Sequence, residues 1–176
     1  MRFETTDLPD AWVIIPEPVG DERGCFARTF CARELGERGL ETNFVQHSIS
    51  ASARKGTLRG MHFQTEPHGE VKIVTCLKGA IADVIIDLRS ESRAFRKWRR
   101  FELTEANRHR LYIPKGFAHG FQALTDDVEV GYLISAFYEP SAASGVRHDD
   151  PAFAISWPLP VSVMSDKDRA WPNFTG

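Results

Sequence analysis

The sequence predicts an all-β fold, an antiparallel sandwich or barrel with a few short helices. Three observations predict it. From Val71 onward β-branched runs dominate, turn residues separate those runs at short and regular spacing, and no repeat, low-complexity stretch or Pro/Gly/Ser linker interrupts them. Before that point Ala11-Trp-Val-Ile-Ile15 reads as a strand and Gly20-Asp-Glu-Arg-Gly24 as a turn. Residues 32–38 read as a short helix closed by Gly39, because glycine tolerates the left-handed conformation that ends helices. Phe44-Val45 begins another extended segment. Strands then follow at residues 71–75, 81–86, 98–103, 110–113, 117–124 and 128–134, with turns at Lys78-Gly79, Arg89-Ser90, Pro114-Lys-Gly116 and Thr125-Asp-Asp127. The tail from Trp157-Pro-Leu-Pro160 to Gly176 is proline-rich and is expected to wrap the outside, except where Ser165-Asp-Lys-Asp168 turns inward.

A chain of 176 residues, 42% hydrophobic and 26% charged, has the length and composition of one domain with a full core, so residues 1–176 are expected to form a single domain. Lys and Arg number 22 against 24 acidic residues, a formal charge of -2 that leaves no global field for nucleic acid or an anionic membrane. No apolar run approaches the roughly 20 residues that span a bilayer, and the N-terminus lacks the apolar centre of a signal peptide, so the chain reads as cytoplasmic. Cys25, Cys31 and Cys76 are odd in number and lack CxxC or zinc-finger spacing, which argues against a disulfide framework and a structural zinc site.

Two segments carry the chemistry. Pro114-Lys-Gly-Phe-Ala-His-Gly-Phe121 and Arg59-Gly-Met-His-Phe-Gln64 each place a histidine near a strand end, where His62 and His119 can share one pocket. On an alternating strand Gly60, His62 and Gln64 face one way and Met61 and Phe63 the other, giving a polar face and a core face. Imidazole titrates near ~6.5 and serves as a general base near neutral pH, particularly if a carboxylate such as Asp168 orients its second nitrogen. The ordinary alternative is a structural histidine bonded to a backbone carbonyl. Lys72, flanked by Val71 and Ile73, is either an exposed strand lysine or an inward one that needs a counter-charge or a developing negative charge on a substrate. Tyr132 could donate a phenolic proton, and Tyr138, six residues on, could share its face; both are equally unremarkable as core or edge tyrosines. Arg23 and Arg59 can fork onto phosphate or simply be solvated. A metal would draw on His62, His68, Glu70 and His119, but Gln64 stands where a His-x-His pair would put its second ligand, which weakens that reading.

The chain resembles the RmlC-type dTDP-4-dehydrorhamnose 3,5-epimerases, members of the cupin superfamily of double-stranded β-helix (jelly-roll) proteins. The resemblance runs nearly end to end. It rests on Asp21-Glu-Arg-Gly-Cys-Phe26, Gly56-Thr-Leu-Arg-Gly-Met-His-Phe-Gln64, Lys72-Ile-Val74, Gly79 through Asp83 to Asp87-Leu-Arg89, Ile113-Pro-Lys-Gly-Phe-Ala-His-Gly-Phe121, Tyr132, Tyr138-Glu-Pro140, Asp150-Pro151, Trp157-Pro158 and Ser165-Asp-Lys-Asp168. It implies a jelly-roll fold and an enzyme without metal or other cofactor that inverts the stereocentres beside the C4 ketone of a nucleotide-linked 4-keto-6-deoxyhexose. By the family pattern His62 removes the proton alpha to the ketone, Asp168 holds its imidazole, Lys72 stabilises the enolate oxygen and Tyr132 returns a proton from the opposite face. Arg23 and Arg59 match positions that bind the pyrophosphate and neighbouring groups. Gln46, His119, Tyr138 and Lys167 match further ligand contacts, and Phe26 matches a position that packs on the nucleotide base. A homodimer is also implied, with N-terminal strands exchanged so that Arg23 and Phe26 complete the neighbour's pocket.

Three positions depart from the pattern. Arg28 stands where the family usually has Glu, Ser48 where it has Asn, and Ala143 where it has Glu. By the resemblance all three belong to nucleotide or substrate recognition rather than proton transfer, so the sequence leaves the nucleotide open. The number of inverted centres is equally open, because relatives with the same acid and base stop after one centre. Two other classes stand beside the epimerase: a metal-binding cupin acting as sensor or oxygenase, and a non-catalytic jelly roll that binds nucleotide sugars.

Overall fold

Strict alternation of inward and outward side chains builds two antiparallel sheets that face one another, a double-stranded β-helix, in a computed structural model that describes residues 1–175. In chain order the elements are β1 (Arg2–Thr5), β2 (Trp12–Ile15), β3 (Val19–Asp21), β4 (Gly24–Phe26), α1 (Ala32–Gly36), β5 (Gln46–Ser52), β6 (Leu58–Gln64), β7 (Lys72–Lys78), β8 (Ala80–Asp87), β9 (Trp98–Thr104), β10 (Arg110–Ile113), β11 (Phe117–Ala123), β12 (Val128–Ile134), β13 (Ala143–Gly145) and α2 (Asp166–Arg169). Among the described residues one sheet has the order β1-β2-β10-β7-β12-β5, the other β13-β6-β11-β8-β9, and β3 and β4 form a separate hairpin.

The periodicity of β8 shows how the layers arise. Its Ile81 and Ile85 join Val74, Leu111, Val128, Val130, Phe117 and Phe121 in the core between the sheets. Its Val84 and Ile86 point the other way, into a second cluster with Met61, Ala118, Val146 and Phe153. A strand buried on both faces reads as a near-continuous apolar run, which is why residues 81–86 show so little polar alternation. The outer face of the first sheet is covered by α1: Leu35 packs with Ile14, Ile73 and Tyr112, and Leu40 and Phe44 close over them. The outer face of the second sheet is covered by the C-terminal segment, through Ile155, Trp157 and Phe174.

Element bounds differ from the sequence expectation in instructive ways. The helix ends at Gly36 rather than at residue 38, and the chain leaves it through a turn in which Gly39 N–H donates to the Gly36 carbonyl and Leu40 N–H to that of Leu35. The expected turn at residues 20–24 is the tip of the β3–β4 hairpin. β7 extends three residues beyond Thr75, and the short strands β1 and β13 carry too few residues for a period to be read. Tyr138 lies beyond the end of β12, so strand alternation does not set its direction. The tail does wrap the outside and turns inward at α2, where Asp168 is 4% exposed. Gly176, its last residue, lies outside the described residues. No helix among the described residues is long and apolar enough to cross a membrane.

Candidate active site

At one end of the space between the sheets the inward positions change from apolar to polar. β7 carries Lys72, Val74 and Cys76 inward, so the lysine follows the period of the core residues and is 9% exposed. β12 adds Tyr132 and Ile134, β11 adds His119, and β6 adds His62 and Gln64. Together with Gln46, Ser48 and Ser50 on β5, and with Arg59, Glu70, Tyr138, Lys167, Asp168 and Trp171, they line a cavity of about 450 Å³. β6 approaches β11 closely enough that a Cβ on Gly60 would stand 2.5 Å from the Gly120 Cα. Gly60 also has φ +129, so only glycine fits there. His62 and His119 are register partners across that contact.

His62 and Asp168 form a short polar contact, Nε2 to Oδ1 at 2.6 Å, while the imidazole keeps 43% of its surface open. Burial alone would push the Asp168 carboxyl up, but the hydrogen bond and charge of His62, the Gly60 N–H and the Ser165 hydroxyl hold it below the usual carboxylate range. An ionised carboxylate only accepts hydrogen bonds, so Nε2 is the donor and the lone pair is left on Nδ1. α2 exists to place this group: Ser165 caps it by accepting from the Asp168 N–H at 3.1 Å, and Asp168 in turn accepts from Gly60 N–H at 3.2 Å.

Lys72 Nζ meets Glu70 Oε1 at 2.8 Å, and Glu70 Oε2 accepts from Gln64 Nε2 at 3.0 Å. Gln64 also donates to the carbonyls of His68 and Phe137 and accepts from the Glu139 N–H. The ammonium is therefore buried with its counter-charge, and the hub that holds it also holds the loop that carries Tyr138. Gln46 Oε1 accepts from the Tyr138 N–H at 2.7 Å. Burial, then the Asp83 charge, push the Tyr132 phenol far above its ordinary range, with Arg59 opposing, so the hydroxyl stays protonated at any physiological pH. Its ring packs edge-on against His119 at 6.0 Å, and His119 Nε2 lies 2.6 Å from Asp83 Oδ1.

The structure brings most of the expected residues together and leaves three apart. His62, Lys72, Tyr132, Asp168, Gln46, Ser48, Arg59, His119, Tyr138 and Lys167 line the one cavity, as does Ala143. Arg59 is held there by donating to the Ser52 hydroxyl at 3.1 Å and the Ala51 carbonyl at 2.6 Å. Arg23 and Phe26 lie on the exposed β3–β4 hairpin, outside that cavity, with the Arg23 guanidinium engaged by Asp21. Arg28 is also outside it, its guanidinium 3.8 Å from Glu34 on α1. Phe63, expected in the core, packs at the edge of the outer cluster and also lines the cavity. Of the four residues weighed as metal ligands three are engaged elsewhere, His62 with Asp168, Glu70 with Lys72 and His119 with Asp83, and no metal-holding group of three His, Cys, Asp or Glu occurs among the described residues.

Sequence reasoning missed two contributors. Asp83 has no exposed surface and its Oδ2 has no partner among the described residues. The signal was present, since an aspartate inside Ile81-Ala-Asp-Val-Ile-Ile86 is the anomalous residue in a buried strand. Trp171 lines the cavity beside His62, with ring centroids 6.2 Å apart. Nothing local marks it, because the contact joins residues far apart in the chain.

The chain matches the family model described as dTDP-4-dehydrorhamnose 3,5-epimerase over residues 5–176. It is 45% identical to a dTDP-4-dehydrorhamnose 3,5-epimerase of Methanothermobacter thermautotrophicus, covering 97% of this chain and 92% of the relative. A dTDP-4-dehydrorhamnose 3-epimerase of Streptomyces niveus is 35% identical over 96% of this chain and 82% of its own. The crystal structure of dTDP-4-dehydrorhamnose 3,5-epimerase from Bacillus anthracis, with TDP and PPi bound, superposes with a TM-score of 0.95 at 39% identity, covering 98% of this chain and 99% of that one.

Proposed function

The chain belongs to the dTDP-4-dehydrorhamnose 3,5-epimerase family, and from that premise we propose how its own residues carry the reaction. The protein is an isomerase that inverts C3, C5 or both in a nucleotide-linked 4-keto-6-deoxyhexose. His62 Nδ1 takes the proton from the carbon beside the ketone. The electron pair of the C–H bond moves onto the C4 oxygen, and the resulting enolate is met by the Lys72 ammonium, without which so weak a carbon acid would not yield its proton to an imidazole. Tyr132 gives its phenolic proton to the same carbon from the opposite face, and the two side chains then reset by exchanging protons with water. The observation that carries this reading is the presence, in one cavity, of a carboxylate-held imidazole on β6, a buried ammonium on β7 and a protonated phenol on β12 of the facing sheet.

Arg59, Gln46, Ser48, His119, Tyr138 and Lys167 would bind the sugar and diphosphate, and the three departures would tune that recognition. A homodimer would bring Arg23, Phe26 and Arg28 to the neighbour's cavity. What supports this is their placement on or beside an exposed hairpin whose Phe26 is 77% exposed. Three free cysteines fit a cytoplasmic setting, and the matched span fits one domain over residues 1–176. The reaction as written draws on side chains alone, with no metal or other cofactor.

The test is incubation with dTDP-, UDP-, GDP- and CDP-linked 4-keto-6-deoxyhexoses in heavy water, following deuterium at C3 and C5. We expect exchange and inversion with the thymidine-linked sugar. Exchange with another nucleotide alone would transfer the activity to that substrate, and inertness toward all four would remove it.

A further inference from the structure

We propose that Trp171 is a positioning residue for the base, holding the His62 imidazole from the side that Asp168 leaves free. This rests on the reading of His62 as the base. A ring tied at one nitrogen can still swivel about that hydrogen bond, and His62 has its single strong contact at Nε2. The indole of Trp171 meets it edge to face, 6.2 Å between centroids at an interplanar angle of 67°, and so blocks that rotation.

Local structure is shaped around the indole. Gly145 on β13 is the register partner of His62, and a Cβ there would lie 2.5 Å from Trp171 Cε2 and 2.7 Å from Cδ2. The indole therefore lies against bare backbone on the strand next to the base. Lys167 Nζ stands over the ring, 5.4 Å from its centroid. The segment bearing Trp171 is pinned on both sides. Upstream, Asp168 is bonded to His62 and Gly60. Downstream, the Phe174 N–H donates to the buried Asp150 carboxylate, and the Phe174 ring packs on Phe153 at 5.3 Å and Phe95 at 6.1 Å. Two residues separate each anchor from Trp171, too short a tether for the indole to leave the cavity wall while both hold.

A misplacement of the base by about 1 Å costs roughly 10²-fold in rate. Trp171→Ala is expected to lower kcat at least tenfold with KM within about twofold of wild type, and Trp171→Phe, which keeps an aromatic edge, to recover most of the loss. Phe174→Ala, which frees the tail without touching the site, should move kcat in the same direction.

An independent arm uses fluorescence. An imidazolium quenches a neighbouring indole, so the difference in emission between wild type and Trp171→Phe should step as His62 protonates and lose that step in His62→Asn. Unchanged kcat in folded Trp171→Ala, a loss confined to KM, or a difference emission that is flat with pH would each overturn the proposal. If wild type fails to exchange solvent deuterium into any substrate, the base reading falls instead, and the emission step still reports whether the two rings are coupled.

Discussion

The division of labour proposed for His62, Lys72 and Tyr132 follows from what each environment does to a proton. Asp168 stays ionised and fixes the donor nitrogen of His62, leaving the other nitrogen basic, while burial keeps the Tyr132 hydroxyl protonated. An acid and a base so separated predict that Tyr132→Phe loses epimerised product by about 10²-fold or more while still exchanging the substrate proton with solvent, read by NMR in heavy water. Equal loss of exchange and inversion would contradict the split. The same electrostatics set the acid stability. Because the Asp168 carboxyl is depressed in the folded state, its contribution is complete above the ordinary carboxylate value of about 3.9 and is lost as pH falls through the depressed value. The midpoint of urea unfolding should therefore fall below about pH 4 in wild type and fall less steeply in Asp168→Asn. His62 was legible in the sequence for a physical reason, since it shares the parity of Gln64, whereas Lys72, apolar on both sides, was left open and its inward direction comes from the structure, where it shares the parity of Val74 and Cys76. Asp83 was legible too, as the one charge in a buried apolar run, and was passed over; Trp171 was not, since its contact with His62 spans a long chain separation.

At the scale of elements, the site is built at the seam of two sheets. β7 and β12 bring the ammonium and the phenol from one sheet, β6 and β11 bring the imidazoles from the other, and the short helix α2 swings a carboxylate in from the tail. The central strands were readable because their runs are long and bounded by turn residues. β13 has three residues, too few for a period, yet its Gly145 decides where Trp171 can lie. The β3–β4 hairpin holds Val19 and Phe26 at 77% exposure with Arg23 between them, the surface that the proposed homodimer would cover. If a second copy receives that hairpin, Arg23→Ala and His62→Asn subunits, each weak alone, should regain activity on mixing and refolding together, because one class of cavity then has both an intact base and an intact arginine. No recovery at any ratio would leave the hairpin outside the active site.

The whole molecule is a barrel with a packed end and a reactive end. Apolar side chains of both sheets fill the first, the outer faces are sealed by α1 and the C-terminal segment, and the interior polarity changes only where the cavity opens. In the proposed reaction that arrangement would gather the few charges where electrons must move. The fold class and the resemblance were visible in the order of short motifs along the chain, whereas the departures at Arg28, Ser48 and Ala143 leave the nucleotide open, and an acid and base alone do not fix the number of inverted centres. The most direct measurement is solvent deuterium incorporation at C3 and C5 of dTDP-4-keto-6-deoxyglucose by wild type and His62→Asn side by side. The account predicts label at an inverted carbon with wild type and a loss of at least 10²-fold in the variant. Label entering at the wild-type rate with His62→Asn would contradict it.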